Sequence, residues 1–336
     1  MTPLRRNHVL RYRARVFHLD ERLPAGTFAT AAWGGLQDSI PRSGVLSLNA
    51  RVEGTQPDSW EDPSDAQVWF RGSDYIVPRA DAGIFTLGSS PRDPERIGRL
   101  DRLADRIHRV SDGQMMTVRE VKERLGFAHP TDLRDVSLTG RVHIRWNASN
   151  IWIIPVDRPE VDAEDARREL ARRHLRWFGP TTVARLARGT GVEAREAAQT
   201  WSSIGAELEP VDIDGVDGAQ RFMLEPDVDA LLAAEPITGV RLLPYDDAYT
   251  KLDRELLVPD PGLRARVLPL VGQSTLGYTP GAILVDGEIV GAWQRQQRKV
   301  TIHPWAKLSP DVRDAIEAEA LAFPIAGSAK PSVAWE

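Results

Sequence analysis

The chain has 336 residues, 42% of them hydrophobic and 27% charged, which is enough apolar material for the cores of two or three domains. It contains no cysteine, which excludes disulfides, thiolate metal centres and a thiol nucleophile. The formal net charge of -5 argues mildly against a protein that coats nucleic acid indiscriminately, and no apolar run approaches the roughly 20 residues of a membrane span.

Taken in chain order, the N-terminal Met1-Thr2-Pro3-Leu4-Arg5-Arg6 is not followed by an apolar stretch, so no signal peptide is expected and the cytoplasm is the expected location. Arg5, Arg6, Arg11, Arg13 and Arg15 form a basic run, read first as the solvated face of a helix and second as a DNA contact. A unit of helix, turn, helix and two strands then recurs three times. The first copy has helices near residues 25–33 and 42–52, then Val68-Trp69-Phe70 and Tyr75-Ile76-Val77 around a polar turn over 71–74. A helix of mixed charge over 94–110 leads to the second copy. There Thr117 and Glu120 form a capping box and Gly126 closes the helix. A helix over 131–138 follows, then strands 142–146 and 151–154 around Asn147-Ala148-Ser149-Asn150. Trp69 and Trp146 read first as anchors of these hairpins and second as base-stacking groups. A helix over 164–177 leads to the third copy: helices 181–188 and 192–204, strands 208–213 and 221–224. From Gly239 the pattern changes. Residues 240–244 are strand-like, 282–293 form a hairpin across Asp286-Gly287, 300–305 add a strand, and Ser309-Pro310 starts a helix over 312–321. Residues 328–336 are expected to be loose. The fold class is therefore α+β, with unit boundaries expected at 1–92, 93–160, 161–236 and 237–327.

Several chemistries are missing from this pattern. There is no phosphate-binding Gly-Lys-Ser/Thr loop, no Gly-x-Gly-x-x-Gly and no Gly-x-Ser-x-Gly elbow. The seven His are scattered without ligand spacing, so no metal is expected. The informative segment is Trp33-Gly34-Gly35-Leu36-Gln37-Asp38-Ser39-Ile40-Pro41-Arg42. In extended backbone residues i and i+2 share a face, so Gln37 and Ser39 can point into one cleft while Asp38 points away. The alternative is that Gln37 caps a helix and Ser39 opens the next one. Of the 43 basic residues only five are lysine (122, 251, 299, 307 and 330). A GC-rich genome accounts for that bias, and arginine also suits bidentate phosphate contacts where it clusters. One cluster is Trp293-Gln294-Arg295-Gln296-Gln297-Arg298-Lys299, where cations could hold phosphates and amides could reach base edges. It could equally be a solvated strand.

Four motifs extend the reading over nearly the whole chain. They are Gly35-Leu36-Gln37-x-x-x-Pro41-Arg42, Phe70-Arg71-Gly72-Ser73-x-Tyr75-Ile76-Val77, Leu242-Leu243-Pro244-Tyr245-Asp246-x-x-Tyr249 and Leu284-Val285-Asp286-Gly287-x-x-x-Gly291-x-Trp293. In these the chain resembles the bacterial winged-helix DNA glycosylases of the AlkZ/YcaQ type. The resemblance implies three tandem winged helices and a β-rich C-terminal part around a concave channel for double-stranded DNA. It implies cofactor-free excision of alkylated purines, bulky and cross-linked ones included; a monomer with no membrane contact is expected. The family's catalytic Gln-x-Gln or Gln-x-Asp falls on Gln37 and Ser39, and the first-wing histidine on Tyr75. The catalytic candidates are thus Gln37, Ser39 and, if the turn rotates it inward, Asp38. The DNA-binding candidates are Arg42, Arg71, Arg145, Gln294, Arg295, Gln297 and Arg298. The competing reading is a non-catalytic winged-helix DNA binder, either a damage sensor or a regulator.

Overall fold

The computed structural model describes residues 4–126, 130–216, 218–251, 253–268, 279–327 and 330–336. The architecture is α+β, and four sheets form among those residues. The first sheet joins β1 (Leu36–Gln37), β2 (Asp65–Phe70) and β3 (Ser73–Pro78) in the order β1-β3-β2. The second joins β4 (Met116–Thr117), β5 (Val142–Trp146) and β6 (Ile151–Pro155) in the equivalent order β4-β6-β5. The third pairs β7 (Leu208–Val211) with β8 (Arg221–Leu224), and Thr181 bridges to Phe222 where β1 and β4 sit in the other two. After each short extended piece comes a helix: Ser43–Asn49, Val118–Leu125 and Val183–Thr190.

Local chemistry explains these starts and stops. Thr117 accepts from Glu120 N while the Glu120 carboxylate accepts from Thr117 N, and Gly126 ends the helix in the left-handed region. Thr182 caps Val183–Thr190 one-sidedly, accepting from Arg185 N. The first hairpin turns on Arg71-Gly72, both at positive φ (53° and 74°), which matches the strand twist. The expected four-residue turn is therefore shorter, because Ser73 and Asp74 already pair with Phe70 and Trp69. The helix expected over 25–33 is only Phe28–Ala31, since Gly26 at φ 83° turns the chain just ahead of it. The helix expected over 42–52 is Ser43–Asn49, since Arg42 at φ 64° stands outside it.

Two further expectations are corrected. Helix Arg6–Val16 does not present all its arginines to water. Arg13 is 2% exposed, donating to Asp253 (2.6 Å) and to the Gly179 carbonyl (3.0 Å). Asp253 also holds Arg185 and Arg221, so one buried carboxylate ties this helix to the third unit. The C-terminal tail is not loose. Ser332–Trp335 forms β13, a parallel edge strand, and Arg313 stacks on Trp335 at 4.1 Å. Ser328 and Ala329, where that tail was expected to start, lie outside the described residues.

The tail completes a five-stranded sheet, β13-β12-β11-β10-β9, built from β9 (Val240–Leu243), β10 (Gly281–Val285), β11 (Glu288–Gln296) and β12 (Lys299–Pro304). Asp286-Gly287 makes the β10–β11 turn at φ 49° and 84°, as Asp-Gly predicts. Helix Pro310–Leu321, capped by Ser309, buries Ile316 and Ala320 against Trp293 and Ile302. Leu46 enters the same core, which docks the sheet beneath the segment that follows β1. Leu243 lies opposite Ala282, and Gly281 opposite Trp293. The Asp246 turn and the β11–β12 hairpin, with its Gln294–Lys299 tip, therefore leave the sheet at the same end. Among the described residues no helix is long and apolar enough to cross a membrane.

Candidate active site

The site begins with two glycines. A Cβ on Gly34 would lie 2.0 Å from the indole of Trp177, a fully buried ring, so only glycine lets the chain pass there. Gly35, at φ 86°, then turns the chain into β1. Leu36 faces the core opposite Ile76, and Gln37 sits across from Tyr75. Asp38 N donates to the Asp74 carbonyl (2.9 Å), which extends the register by one residue. Alternation does the rest: Leu36 and Asp38 are buried, Gln37 is half-buried and Ser39 is exposed.

Gln37 and Ser39 meet. Gln37 Nε2 donates to Ser39 Oγ at 2.8 Å and lies 3.4 Å from Ser73 Oγ. Tyr75 donates its hydroxyl proton to Gln37 Oε1 at 3.0 Å, and the nearby positive charge of Arg71 opposes the rise that burial imposes on the tyrosine's pKa. With its oxygen taken by the Tyr75 hydroxyl, the Gln37 amide presents Nε2 to Ser39. At the other end Ser39 Oγ donates to Asp246 Oδ2 at 2.7 Å, and Ser43 Oγ donates to the same oxygen at 3.0 Å. A directed chain thus runs to an anion: Tyr75, Gln37, Ser39, Asp246. Such chains polarise each member along their length. Gln37 Oε1 and Ser39 Oγ each keep one lone pair for a water.

The two nearby carboxylates differ in role. Asp38 is fully buried on the opposite face. Its Oδ1 accepts from Gly44 N (2.9 Å), and its Oδ2 accepts from Gln67 Nε2 (3.2 Å) and pairs with Arg42 (3.1 Å). Burial raises its pKa to about 7 against the pull of Arg42. It anchors the loop and does not turn toward Gln37. Asp246 lies directly behind Ser39. Burial pushes its pKa up, opposed by the hydroxyls of Ser39 and Ser43 and by the Lys251 ammonium.

The basic candidates fall into two groups. Arg42 stacks on Trp60 at 3.9 Å, lies 5.6 Å from the Trp146 ring and donates to the Trp146 carbonyl (2.6 Å). Arg145 pairs with Glu61 (2.8 Å) and lies over Trp60 and Trp152. Both belong to a cation–aromatic stack between the first and second units, beside the Gln37 loop. Arg71 is on the first hairpin turn, packed against Gly191. Gln294, Arg295, Gln297 and Arg298 are on the β11–β12 hairpin, where Arg295 donates to the Gln297 carbonyl (2.8 Å) and Arg298 to that of Ala326. Sequence reasoning left out Tyr75, Ser43 and Asp246 as site residues. Tyr75 and Asp246 stand inside two of the motifs that carried the resemblance, and those motifs were the available signal.

An amide, a hydroxyl and a recessed carboxylate on an α+β scaffold of helix-and-hairpin sheets can together hold a water. A family model described as DNA glycosylase AlkZ-like matches residues 30–323, and the chain belongs to that family: it is a DNA glycosylase. It is 25% identical, over 335 aligned positions covering 82% of this chain and 84% of the other, to an interstrand DNA cross-link repair glycosylase of Streptomyces sahachiroi. The solved structure of Streptomyces sahachiroi DNA glycosylase AlkZ superposes with a TM-score of 0.76 over 100% of both chains at 19% identity, a likeness of fold.

Proposed function

We propose that this enzyme hydrolyses the N-glycosidic bond of purines alkylated at N7 or N3 in duplex DNA, and that Gln37 and Ser39 hold the attacking water. The observation that carries this reading is the Gln37–Ser39 contact of 2.8 Å on the accessible side of β1, with both groups locked by side-chain partners. An N7- or N3-alkylated purine leaves as a neutral base from a cationic nucleotide, so acid catalysis at the base is dispensable. What remains is to place water under C1′ and to stabilise the positive charge that builds on the sugar. The Gln37 carbonyl oxygen suits both tasks. Cross-linked purines enter the substrate class through the relative from Streptomyces sahachiroi, which is named for interstrand cross-link repair.

The three helix-and-hairpin sheets are read as three winged helices, with units near 1–92, 93–160 and 161–236, facing a DNA channel together with the β-rich part. The Arg42–Arg145 stack and the hairpin at Gln294–Lys299 support that channel, since one borders the Gln37 loop and the other leaves the sheet at the Asp246 end. The chain is read as a monomer, because three wings in one polypeptide make a dimeric reader of palindromes less natural. The test is incubation with a duplex carrying N7-methylguanine, followed by scoring of alkali-induced breaks at the lesion. Breaks at the modified guanine alone are expected. An intact strand, with tight binding retained, would leave a lesion binder instead. Binding of undamaged duplex should fall steeply with salt as arginine contacts release counterions.

A further inference from the structure

We propose that Asp246 positions the attacking water through Ser39 and receives the proton that the water gives up. The proposal rests on the reading of Gln37 and Ser39 as the water-holding pair.

Hydrogen-bond counting carries it. A carboxylate accepts and does not donate, so the Ser39 hydroxyl proton points to Asp246 Oδ2 at 2.7 Å. Gln37 Nε2 fills one lone pair of Ser39 Oγ. The remaining lone pair is on an exposed residue and has room for a water hydrogen. Ser39 is therefore a connector with a buried anion at its back and solvent at its front. Asp246 is 1% exposed and cannot touch DNA itself. Its Oδ1 is buried with no hydrogen-bond partner among the described residues, so the charge is less stabilised than that of a fully satisfied carboxylate. Asp247, next in sequence, is different: both its oxygens are held by the Arg51 guanidinium at 2.7 and 2.8 Å. A charge kept buried, half-satisfied and one hydroxyl away from solvent is suited to accepting a proton.

The step balances. Water oxygen bonds to C1′ as the bond from C1′ to the purine nitrogen breaks, and the departing base keeps that electron pair, which cancels its positive charge. The water proton passes to Ser39 Oγ while the Ser39 proton passes to Asp246 Oδ2. A cationic nucleotide and a carboxylate become a neutral base, a neutral abasic sugar and a carboxylic acid. Asp246 works only when ionised, so the rate falls as pH falls through its raised pKa. The titratable groups facing it are Lys251 from helix Ala248–Lys251, Asp38 from the loop after β1, Tyr75 from β3 and the neighbouring Tyr245.

The experiment is single-turnover excision from an N7-methylguanine duplex across the acidic-to-neutral range, for wild type, Ser39→Ala, Asp246→Asn, the double variant and Gln37→Ala. DNA affinity and melting are measured on each. We expect Asp246→Asn to be about 100-fold slower, a typical loss for one proton-transfer group. DNA affinity should be unchanged and the acidic limb of the pH profile absent. Ser39→Ala should lose the same limb, and the double variant should be no slower than the slower single, because the two act in one path. Wild-type rate in Asp246→Asn, or an acidic limb that survives in Ser39→Ala, overturns the proposal while leaving Gln37 and Ser39 as water holders. If Asp246→Asn fails to fold, the acidic limb in Ser39→Ala decides alone. Wild-type rates in both Gln37→Ala and Ser39→Ala would remove the water-holding pair itself.

Discussion

The first and second helix-and-hairpin units put a two-residue strand in the same place, beside the return strand of the hairpin, and then finish it differently. In the second unit β4 runs directly into its helix. Thr117 ends the strand and caps Val118–Leu125, so its hydroxyl is bound to Glu120. In the first unit, residues 38–42 intervene before Ser43, and the helix start is served by the Asp38 carboxylate on Gly44 N. That shift frees the side chain of Gln37 from backbone service. Among the described residues its amide touches side chains only: Ser39, Ser73 and Tyr75. The capping duty of this position moves one residue along, and five residues of loop expose what remains.

The comparison makes quantitative claims. Gln37→Ala should lose the most activity, about 100- to 1000-fold in single-turnover excision or ~3–4 kcal/mol of transition-state stabilisation. Melting temperature and DNA affinity should hold. A loss of stability comparable to the loss of rate would make Gln37 as structural as Thr117. Gly34→Ala should come next, at ~1–3 kcal/mol of unfolding free energy in chemical denaturation, because its new methyl collides with Trp177. Excision should fall with it, since the Gln37 loop is displaced; unchanged stability would mean that the Trp177 contact relaxes easily. Thr117→Ala should cost about 1 kcal/mol and leave excision at the wild-type rate.

Asp38 sharpens the contrast through pH. Its folded-state pKa of about 7 lies above its unfolded value, so the native state binds the proton more tightly. Stability from this group is therefore present at low pH and lost as pH rises toward about 7. Asp65 and Asp74, raised to about 7 and about 6, act with the same sign. Asp38→Asn should flatten the fall of melting temperature between mildly acidic and neutral pH without abolishing it. An unchanged slope would show that Arg42 holds Asp38 ionised throughout.

Much of this was legible in the chain because it rests on neighbours in sequence. Thr117 with Glu120, Ser309 with Pro310 and the Asp286-Gly287 turn each complete their hydrogen bonds or dihedrals within four residues, so sequence order alone determines them. The shared face of Gln37 and Ser39 follows from the period of two in extended backbone. Other features depended on distant partners. Asp246 is 207 residues from Ser39 and meets it only because Leu46 docks the C-terminal sheet under the first unit. Arg13 reads as solvated until Asp253 is brought to it, and residues 332–335 read as loose until β12 offers an edge. Asp38 and Asp246 are the same residue type, one inside the loop after β1 and the other beside it, yet one serves a helix start and the other stands behind a hydroxyl. Burial and partners made that choice, and both are properties of the folded chain.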